Sequence, residues 1–372
     1  MWNKFVIFCF YVFFRLWARL FPAHPVDLSK LKLERILVFS AAGIGDMLTD
    51  SVAIGALKES HPLADVAVVA HARRAMLVEH NPCAGSVIRY RKSLFHFVWL
   101  VKKLRRFHPD AIVMLRGNDP DLWPMAYLIN RHAIVSCPMM TRFKFLISHP
   151  VEVPGWDRTH GVEQTLQIVR ALGTETENKK LIYMVKEWEA NAVFEKAKQM
   201  GLDLRQTVVF QMGGGWRSTW RDWPAVYYAE LGELLLQHYR VGLILTGGPE
   251  HEEKARFVIN TVSQRPVVSM IGRMSLAEVA AMLVWSPILL STDTGIMHIG
   301  FAVCRSVLAL IHCNNPASRV GPYGYGDQHL VAQVEPPPGE PVSTSVSMSL
   351  LTPATVWPKL KELCERSGLA AR

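Results

Sequence analysis

Cysteine is scarce and unpatterned in this chain: six residues in 372, none spaced as C-x-x-C. Cys9, Cys83, Cys137, Cys304, Cys313 and Cys364 read as reduced, structural thiols of a cytoplasmic protein rather than a disulfide framework. No His, Cys, Asp or Glu cluster has a recognisable ligand spacing, so neither a metal nor a cofactor is expected. No internal repeat is visible, and no helix-turn-helix, zinc-finger or RNA-binding signature occurs, so nucleic acid is not an expected partner. The dinucleotide fingerprint is also missing. The turn Ala41-Ala42-Gly43-Ile44-Gly45-Asp46-Met47-Leu48 has two of its glycines, but Leu48 stands where the third glycine or alanine belongs.

Half the residues are hydrophobic and a fifth are charged, the composition of a globular chain long enough for two domains. The net charge of +9 is unevenly placed. Residues 1–180 hold 24 Lys and Arg against 15 Asp and Glu, while residues 181–372 hold 17 of each. A basic first half suits a phosphorylated substrate or an anionic membrane surface.

Residues 1–21 stand apart. The apolar run 5–14 makes a helix of about 15 Å, half the hydrocarbon thickness, and extending it to about 20 residues would bury Arg15 and Arg19 in the membrane. With no clear cleavage site, the segment reads as a helix lying in the interface, aromatics buried and Lys4, Arg15 and Arg19 on anionic headgroups. A single N-terminal span is the second reading.

From residue 33 the pattern becomes strands alternating with helices, which predicts parallel sheets covered on both faces. Strands are expected over 35–40, 65–70, 86–90, 110–115 and 132–136, then over 207–210, 241–245, 267–269, 288–291 and 306–311. A helix over 94–107 is apolar on one side and carries Lys102, Lys103, Arg105 and Arg106, a cluster read as a solvated face. Residues 186–206 are polar and helical in character and read as a bridge. A last helix starts with Thr352 as cap and Pro353 in its first position and ends near Gly368. Two doubly wound domains facing a cleft follow, with ligands at the carboxyl ends of the strands.

Three turns could do chemistry. Asp46 puts a carboxylate at the mouth of the first strand–helix turn, where it could accept a proton or merely cap its helix. The loop 212–224 reads Met-Gly-Gly-Gly-Trp-Arg-Ser-Thr-Trp-Arg-Asp-Trp-Pro. Its glycines, Gly214 and Gly215 among them, expose amides, and Arg217 and Arg221 supply permanent charge suited to phosphate. Ser291-Thr292-Asp293-Thr294-Gly295-Ile296-Met297-His298 follows a buried strand and opens a helix whose free amides would face an anion. Asp119-Pro120-Asp121 has the look of a D-x-D metal motif, but the central proline and the lack of further oxygen ligands make it a turn.

Taken in order, these segments resemble glycosyltransferase family 9, the bacterial lipopolysaccharide heptosyltransferases. The matching pieces are Gly43-Ile44-Gly45-Asp46, Arg221-Asp222-Trp223-Pro224, Gly247-Gly248-Pro249-Glu250-His251-Glu252, Met274-Ser275-Leu276, Asp293-Thr294-Gly295 with His298, and Asn315-Pro316-Ala317 leading to Gly321-Pro322-Tyr323-Gly324. They cover nearly everything from residue 33 onward and leave the leader 1–22 outside.

The resemblance implies a GT-B fold and inverting, metal-independent transfer from a nucleotide sugar, typically ADP-heptose. Together with the leader and the bridge read above, this divides the chain into an interface helix and lead-in (1–32), an acceptor-side domain (33–185), the bridge (186–206), a nucleotide-sugar domain (207–340) and a C-terminal segment (341–372). Asp46 matches the family's general base, and Arg221 falls where many members place a lysine beside the donor phosphates. Thr294 and Gly295 match pyrophosphate contacts. Asp293 and His298 belong to the same motif, and Glu252 and Met274 lie near the nucleoside. Gly45, Gly214, Gly215 and Arg217 complete the expected donor contacts. Met114-Leu115-Arg116-Gly117 departs from the pattern, since members often carry an aspartate there.

The expected partners are a nucleotide-sugar donor, a phosphorylated glycolipid acceptor and the anionic inner face of the bacterial inner membrane, where the protein would sit peripherally. Another donor nucleotide sugar, a sugar-nucleotide epimerase, or a non-catalytic binding module are the alternatives left open.

Overall fold

Apolar runs without alternation become parallel strands buried on both faces, because a strand covered by helices above and below has no polar side. Arg35–Ala41 (β1) leaves only its first residue in solvent, and Thr207–Gln211 (β7) leaves none. The computed structural model describes residues 4–117, 119–214, 219–263 and 266–372. The chain divides into two compact units, Met1–Tyr183 and Met184–Arg372.

In the first unit Lys4–Leu20 (α1) precedes β1, Ile44–Ser60 (α2), Asp65–His71 (β2), Met76–Glu79 (α3), Ser86–Tyr90 (β3) and Leu94–Phe107 (α4). Ala111–Gly117 (β4), Leu122–Asn130 (α5), Ile134–Ser136 (β5), His149–Pro150 (β6) and Gly161–Arg170 (α6) complete it. The strands lie in the order β3-β2-β1-β4-β5-β6, all parallel. α1, α4 and α5 cover the face that presents Leu37, Phe39, Ile112 and Met114, while α2 and α6 pack together on the other.

The β1–β4 ladder carries a bulge. Phe39 pairs with Met114, but Ser40 pairs with Arg116, so Leu115 is an extra residue. Side chains alternate faces along a strand, and one added residue reverses everything beyond it. Without the bulge Arg116 would point to the face of Met114. With it, Arg116 shares the face of Ser40 and α2.

The second unit runs Glu187–Gln199 (α7), β7, Ala225–His238 (α8), Gly242–Thr246 (β8), Glu252–Thr261 (α9), Val267–Ser269 (β9) and Leu276–Trp285 (α10). Ile288–Thr292 (β10), Gly295–Val303 (α11), Ser306–Ile311 (β11), Ala317–Val320 (α12), Leu330–Gln333 (β12) and Pro353–Arg366 (α13) follow. Its sheet is again parallel, ordered β12-β11-β10-β7-β8-β9. Side chains of α8, α9 and α13 close one core with Val208, Phe210, Leu243 and Leu308, and α11 lies on the opposite face against Leu289 and Val307. Each sheet thus has the doubly wound order that reverses direction after its first strand, between β1 and β4 and between β7 and β10.

All ten expected strands form, within two residues of the anticipated ends. β6 and β12 were not anticipated. β6 contains Pro150, which an edge strand tolerates because no ladder partner needs its missing N–H. The polar stretch 186–206 folds with the second unit. α7 packs on α10, and the Trp285 indole donates to the Ala190 carbonyl at 2.9 Å. Thr352 stands at the N-cap of α13 with Pro353 next, although its side chain makes no capping bond. Of α1, Phe14 is buried, Phe10 meets Phe97 edge-on at 5.8 Å, and Tyr11 meets Phe143 at 5.6 Å. Among the described residues no helix is long and apolar enough to cross a membrane.

Candidate functional site

Both candidate centres lie at the points where strand order reverses, where the loops leaving neighbouring strands diverge and open a crevice. In the first unit these are the turn after β1, which carries Asp46, and the end of β4, which carries Arg116. Gly43 is the N-cap of α2 and offers no side chain, so Asp46, in the first helical turn, is not the cap. A Cβ at residue 43 would meet Asp46 Oδ2 at 3.2 Å; glycine leaves room for the carboxylate over the turn.

That carboxylate is claimed from the side. Arg116 Nη1 lies 3.1 Å from Asp46 Oδ1, and Arg116 Nε lies 3.5 Å from Oδ1 of the fully buried Asp50, one helical turn on from Asp46. Arg116 Nη2 donates to Gln164 Oε1 at 3.0 Å. The Ser40 hydroxyl donates to Asp50 Oδ2 at 2.6 Å. Burial pushes the Asp50 carboxyl up to about 7, against the opposing pull of Arg116 and Ser40. A second guanidinium frames the same turn, with Arg74 Nη1 donating to the Ala42 carbonyl at 2.5 Å.

In the second unit the loop after β7 meets the start of α11. Gly213 has φ +145°, and a Cβ there would stand 2.7 Å from both Asp222 Oδ1 and His251 Nε2, so only glycine fits. Its carbonyl accepts from Gln211 Nε2 at 2.9 Å, and Gln211 is held by Thr246 and Tyr228. A Cβ at Gly214 would touch the Thr294 methyl at 3.5 Å, which places the glycine loop beside the helix terminus. Thr294 caps α11, its hydroxyl accepting from the Met297 amide at 3.4 Å, and Gly295 is the first helical residue.

Arg221 bridges loop and helix. Its Nη1 lies 3.0 Å from Asp293 Oδ2 and donates to the Asp293 carbonyl at 3.2 Å, while its guanidinium stacks over Trp220 at 4.5 Å. Asp293 also accepts from Asn315 Nδ2 at 2.6 Å, and His298 Nε2 lies 3.9 Å from its other oxygen. A guanidinium, a helix N-terminus and a glycine-rich turn therefore converge, an arrangement complementary to negatively charged oxygens.

The remaining expected residues fall as follows. Glu252 is exposed at the start of α9, after β8, and Met274 is half-buried before α10, after β9. Met274 lines a largely apolar cavity of about 220 Å³ with Met270, Met282 and Ile244. Since β9, β8, β7 and β10 are successive neighbours, Met274, Glu252, Gly214 and Thr294 follow adjacent carboxyl ends. Gly45 is the second residue of α2, beside Asp46 in the first unit. Gly215 and Arg217 lie outside the described residues. Asp119 and Asp121 serve the fold: the Tyr90 hydroxyl donates to both Asp121 oxygens at 2.7 Å, and Lys92 pairs with Asp119.

Sequence reasoning missed two groups. Asp50 sits four residues after Asp46, a spacing that puts both on one helix face, and this signal was available. Lys254 gave none, since a lysine in the first turns of a polar helix reads as solvated. It lies over the Tyr228 ring at 4.8 Å, and burial draws it down to about 8 against the pull of Asp222.

The profile of glycosyltransferase family 9 (heptosyltransferase) matches residues 102–341. Lipopolysaccharide heptosyltransferase 3 of Escherichia coli is 24% identical over 291 residues, 72% of this chain and 80% of that protein. Among solved structures, E. coli ADP-heptose LPS heptosyltransferase II superposes with a TM-score of 0.72 at 18% identity, over 90% of this chain and 99% of that one. The E. coli heptosyltransferase WaaC with ADP gives 0.63 at 21% identity, over 88% and 99%. Two parallel six-stranded sheets in that order are the GT-B class of α/β fold. The family match spans well over half the chain, and the chain belongs to glycosyltransferase family 9: it is a glycosyltransferase.

Proposed function

We propose that the protein moves heptose from ADP-heptose onto a lipopolysaccharide core or related phosphorylated glycolipid, with inversion and without a metal. The observation that carries this is the meeting of Arg221, Asp293, Thr294 and the glycine loop at the β7–β10 reversal. The names of the relatives support the donor and the acceptor class.

In a single displacement the acceptor hydroxyl oxygen bonds to the anomeric carbon as the bond from that carbon to the diphosphate breaks. The electron pair leaves with ADP, and the hydroxyl proton passes to Asp46. The sugar carries oxocarbenium character between the two, by analogy with inverting hydrolysis. Arg221, Arg217 and the amides at Gly214, Gly215, Thr294 and Gly295 hold the departing diphosphate, the electrostatic duty a metal performs elsewhere. Asp293 fixes the Arg221 guanidinium at the helix terminus, with His298 beside it. Glu252 and Met274 take the nucleoside. Arg74 and Arg116, flanking the base, suit an acceptor that carries phosphate. The protein works at the inner face of the bacterial inner membrane, held peripherally by α1.

The test is release of ADP from ADP-heptose with heptose-deficient lipopolysaccharide, repeated with EDTA and with other ADP- and UDP-sugars. Acceptor-dependent release that survives EDTA and is fastest with ADP-heptose is expected. Release only with a UDP-sugar, or only with added divalent ion, overturns the donor or the metal-free chemistry respectively.

A further inference from the structure

The first unit exposes large apolar side chains on two adjacent helices. On α4, Phe95 is 90% exposed, and Leu94, Val98 and Trp99 are about half exposed or more. On α1, Phe8, Phe13, Leu16 and Leu20 are likewise outward. The helices are neighbours through Phe10 and Phe97, and the opposite faces of both enter one core with Phe14, Leu100 and Leu104. Residues at i, i+3 and i+4 share a helix face, so Phe95, Val98, Trp99, Lys102 and Arg106 form one stripe of α4. Its first two turns are apolar and its last two basic. The charge is of one sign throughout: neither α1 nor α4 contains an aspartate or glutamate.

Isolated exposed apolar residues are ordinary, but a run of them rimmed by charge marks an interaction surface. We propose that α1 and α4 together form a single docking face for an anionic phospholipid leaflet. Phe95, Val98 and Trp99 enter the headgroup–acyl boundary, and Lys102, Lys103, Arg105 and Arg106 rest on lipid phosphates. Trp99 is the residue type that settles at that boundary, apolar in body and polar at one edge. Lys103 Nζ lies 5.3 Å from its ring centroid, joining the apolar and charged halves of the stripe. A second copy of the chain fits poorly, since two such faces would bring like charges together, whereas a leaflet offers diffuse negative charge above an apolar layer. The basic cluster of α4, read from sequence as a solvated face, becomes part of this surface. The inference rests on the peripheral location proposed above and adds α4 to it.

The experiment is flotation of the full chain with vesicles of phosphatidylcholine alone and of phosphatidylcholine with 30% phosphatidylglycerol. Three variants are compared: Phe95→Ser with Trp99→Ser, Lys102→Glu with Arg106→Glu, and Phe13→Ser with Leu16→Ser. Far-UV circular dichroism and thermal unfolding of each establish that the first unit is folded, and ADP titration that the second is. Wild type should float with the anionic vesicles at least tenfold better than with neutral ones. Each α4 variant should lose tenfold or more of that binding while its ADP affinity stays within twofold of wild type. If both α4 variants float like wild type and only the α1 variant is lost, α4 has no part and α1 alone docks. If all three float like wild type with the anionic vesicles, the docking face proposed on α1 and α4 is overturned while the peripheral location stands. If wild type ignores both vesicles, the peripheral location itself fails. If wild type is a dimer that Phe95→Ser with Trp99→Ser splits without changing flotation, the face covers a second copy.

Discussion

Asp46 sits in the first turn of α2, where its charge favours the helix dipole but caps nothing, because Gly43 holds the cap position. Its defined partner is Arg116, and Arg116 is immobilised by Asp50 and Gln164. Replacing Asp46 by Asn keeps shape and removes the proton acceptor. Turnover should fall by about 10²- to 10⁴-fold, the usual share of general base catalysis, while ADP affinity by equilibrium dialysis stays within twofold. Full turnover by that variant would take the base role from Asp46. Asp50 makes a different prediction. Its folded pKa, about 7, is above the ordinary aspartate value of 3.8, so the folded state binds the extra proton between those limits. The stabilisation linked to that proton is complete below about 4 and is lost as pH rises through about 7. Urea unfolding of wild type and Asp50→Asn across pH 4 to 8 should show the difference moving in favour of Asn up to about pH 7 and then levelling. A difference that is flat over that range would show that Asp50 does not titrate there.

At the scale of elements, what could be read in advance was whatever depends on local pattern. Unbroken apolar runs gave the strands, and the ordered glycine and Asp-Thr-Gly turns located both crevices. The bulge at Leu115 left no mark on the pattern, because Met-Leu-Arg-Gly reads as the plain end of a strand. Yet that extra residue turns Arg116 toward Asp46. β12 was missed since Leu-Val-Ala-Gln is short and follows a polar stretch, and only its pairing with β11 makes it a strand. Lys254 was illegible for a related reason: the ring it lies over, Tyr228, and the charge that pulls on it, Asp222, are both distant in sequence from α9. The glycine loop yields a sharper test. Gly213→Ala must carry a side chain at φ +145° into Asp222 and His251, which costs about 1–3 kcal/mol in strain and overpacking. Its neighbour Gly214→Ala meets only an ordinary contact with Thr294. Thermal unfolding should show Gly213→Ala clearly less stable than Gly214→Ala, with ADP affinity reduced at least tenfold in the former. Equal stability of the two would mean the loop is not held as described.

On the scale of the whole molecule, charge and chemistry divide along the same line. The surplus of positive charge lies in residues 1–180, with the candidate base and the apolar face of α1 and α4, whereas the candidate anion-binding turn belongs to Met184–Arg372. Each unit closes its own core: one built on Phe39, Met114 and Trp123, the other on Phe210, Trp223 and Leu360. A ligand held by the second unit should therefore stabilise that unit first. ADP at a hundred times its Kd contributes about 2.7 kcal/mol to whatever fold binds it, enough to slow amide exchange through local opening by about a hundredfold. Hydrogen exchange with saturating ADP should show protection at Gln211–Gly214 and in the first turn of α11, with little change over Ala41–Met47. Adding a heptose-deficient lipopolysaccharide fragment should then protect Ala41–Met47. Protection by ADP confined to the first unit would reverse the assignment of donor and acceptor sides. It would also leave the Arg221–Asp293 pair as a structural clasp alone.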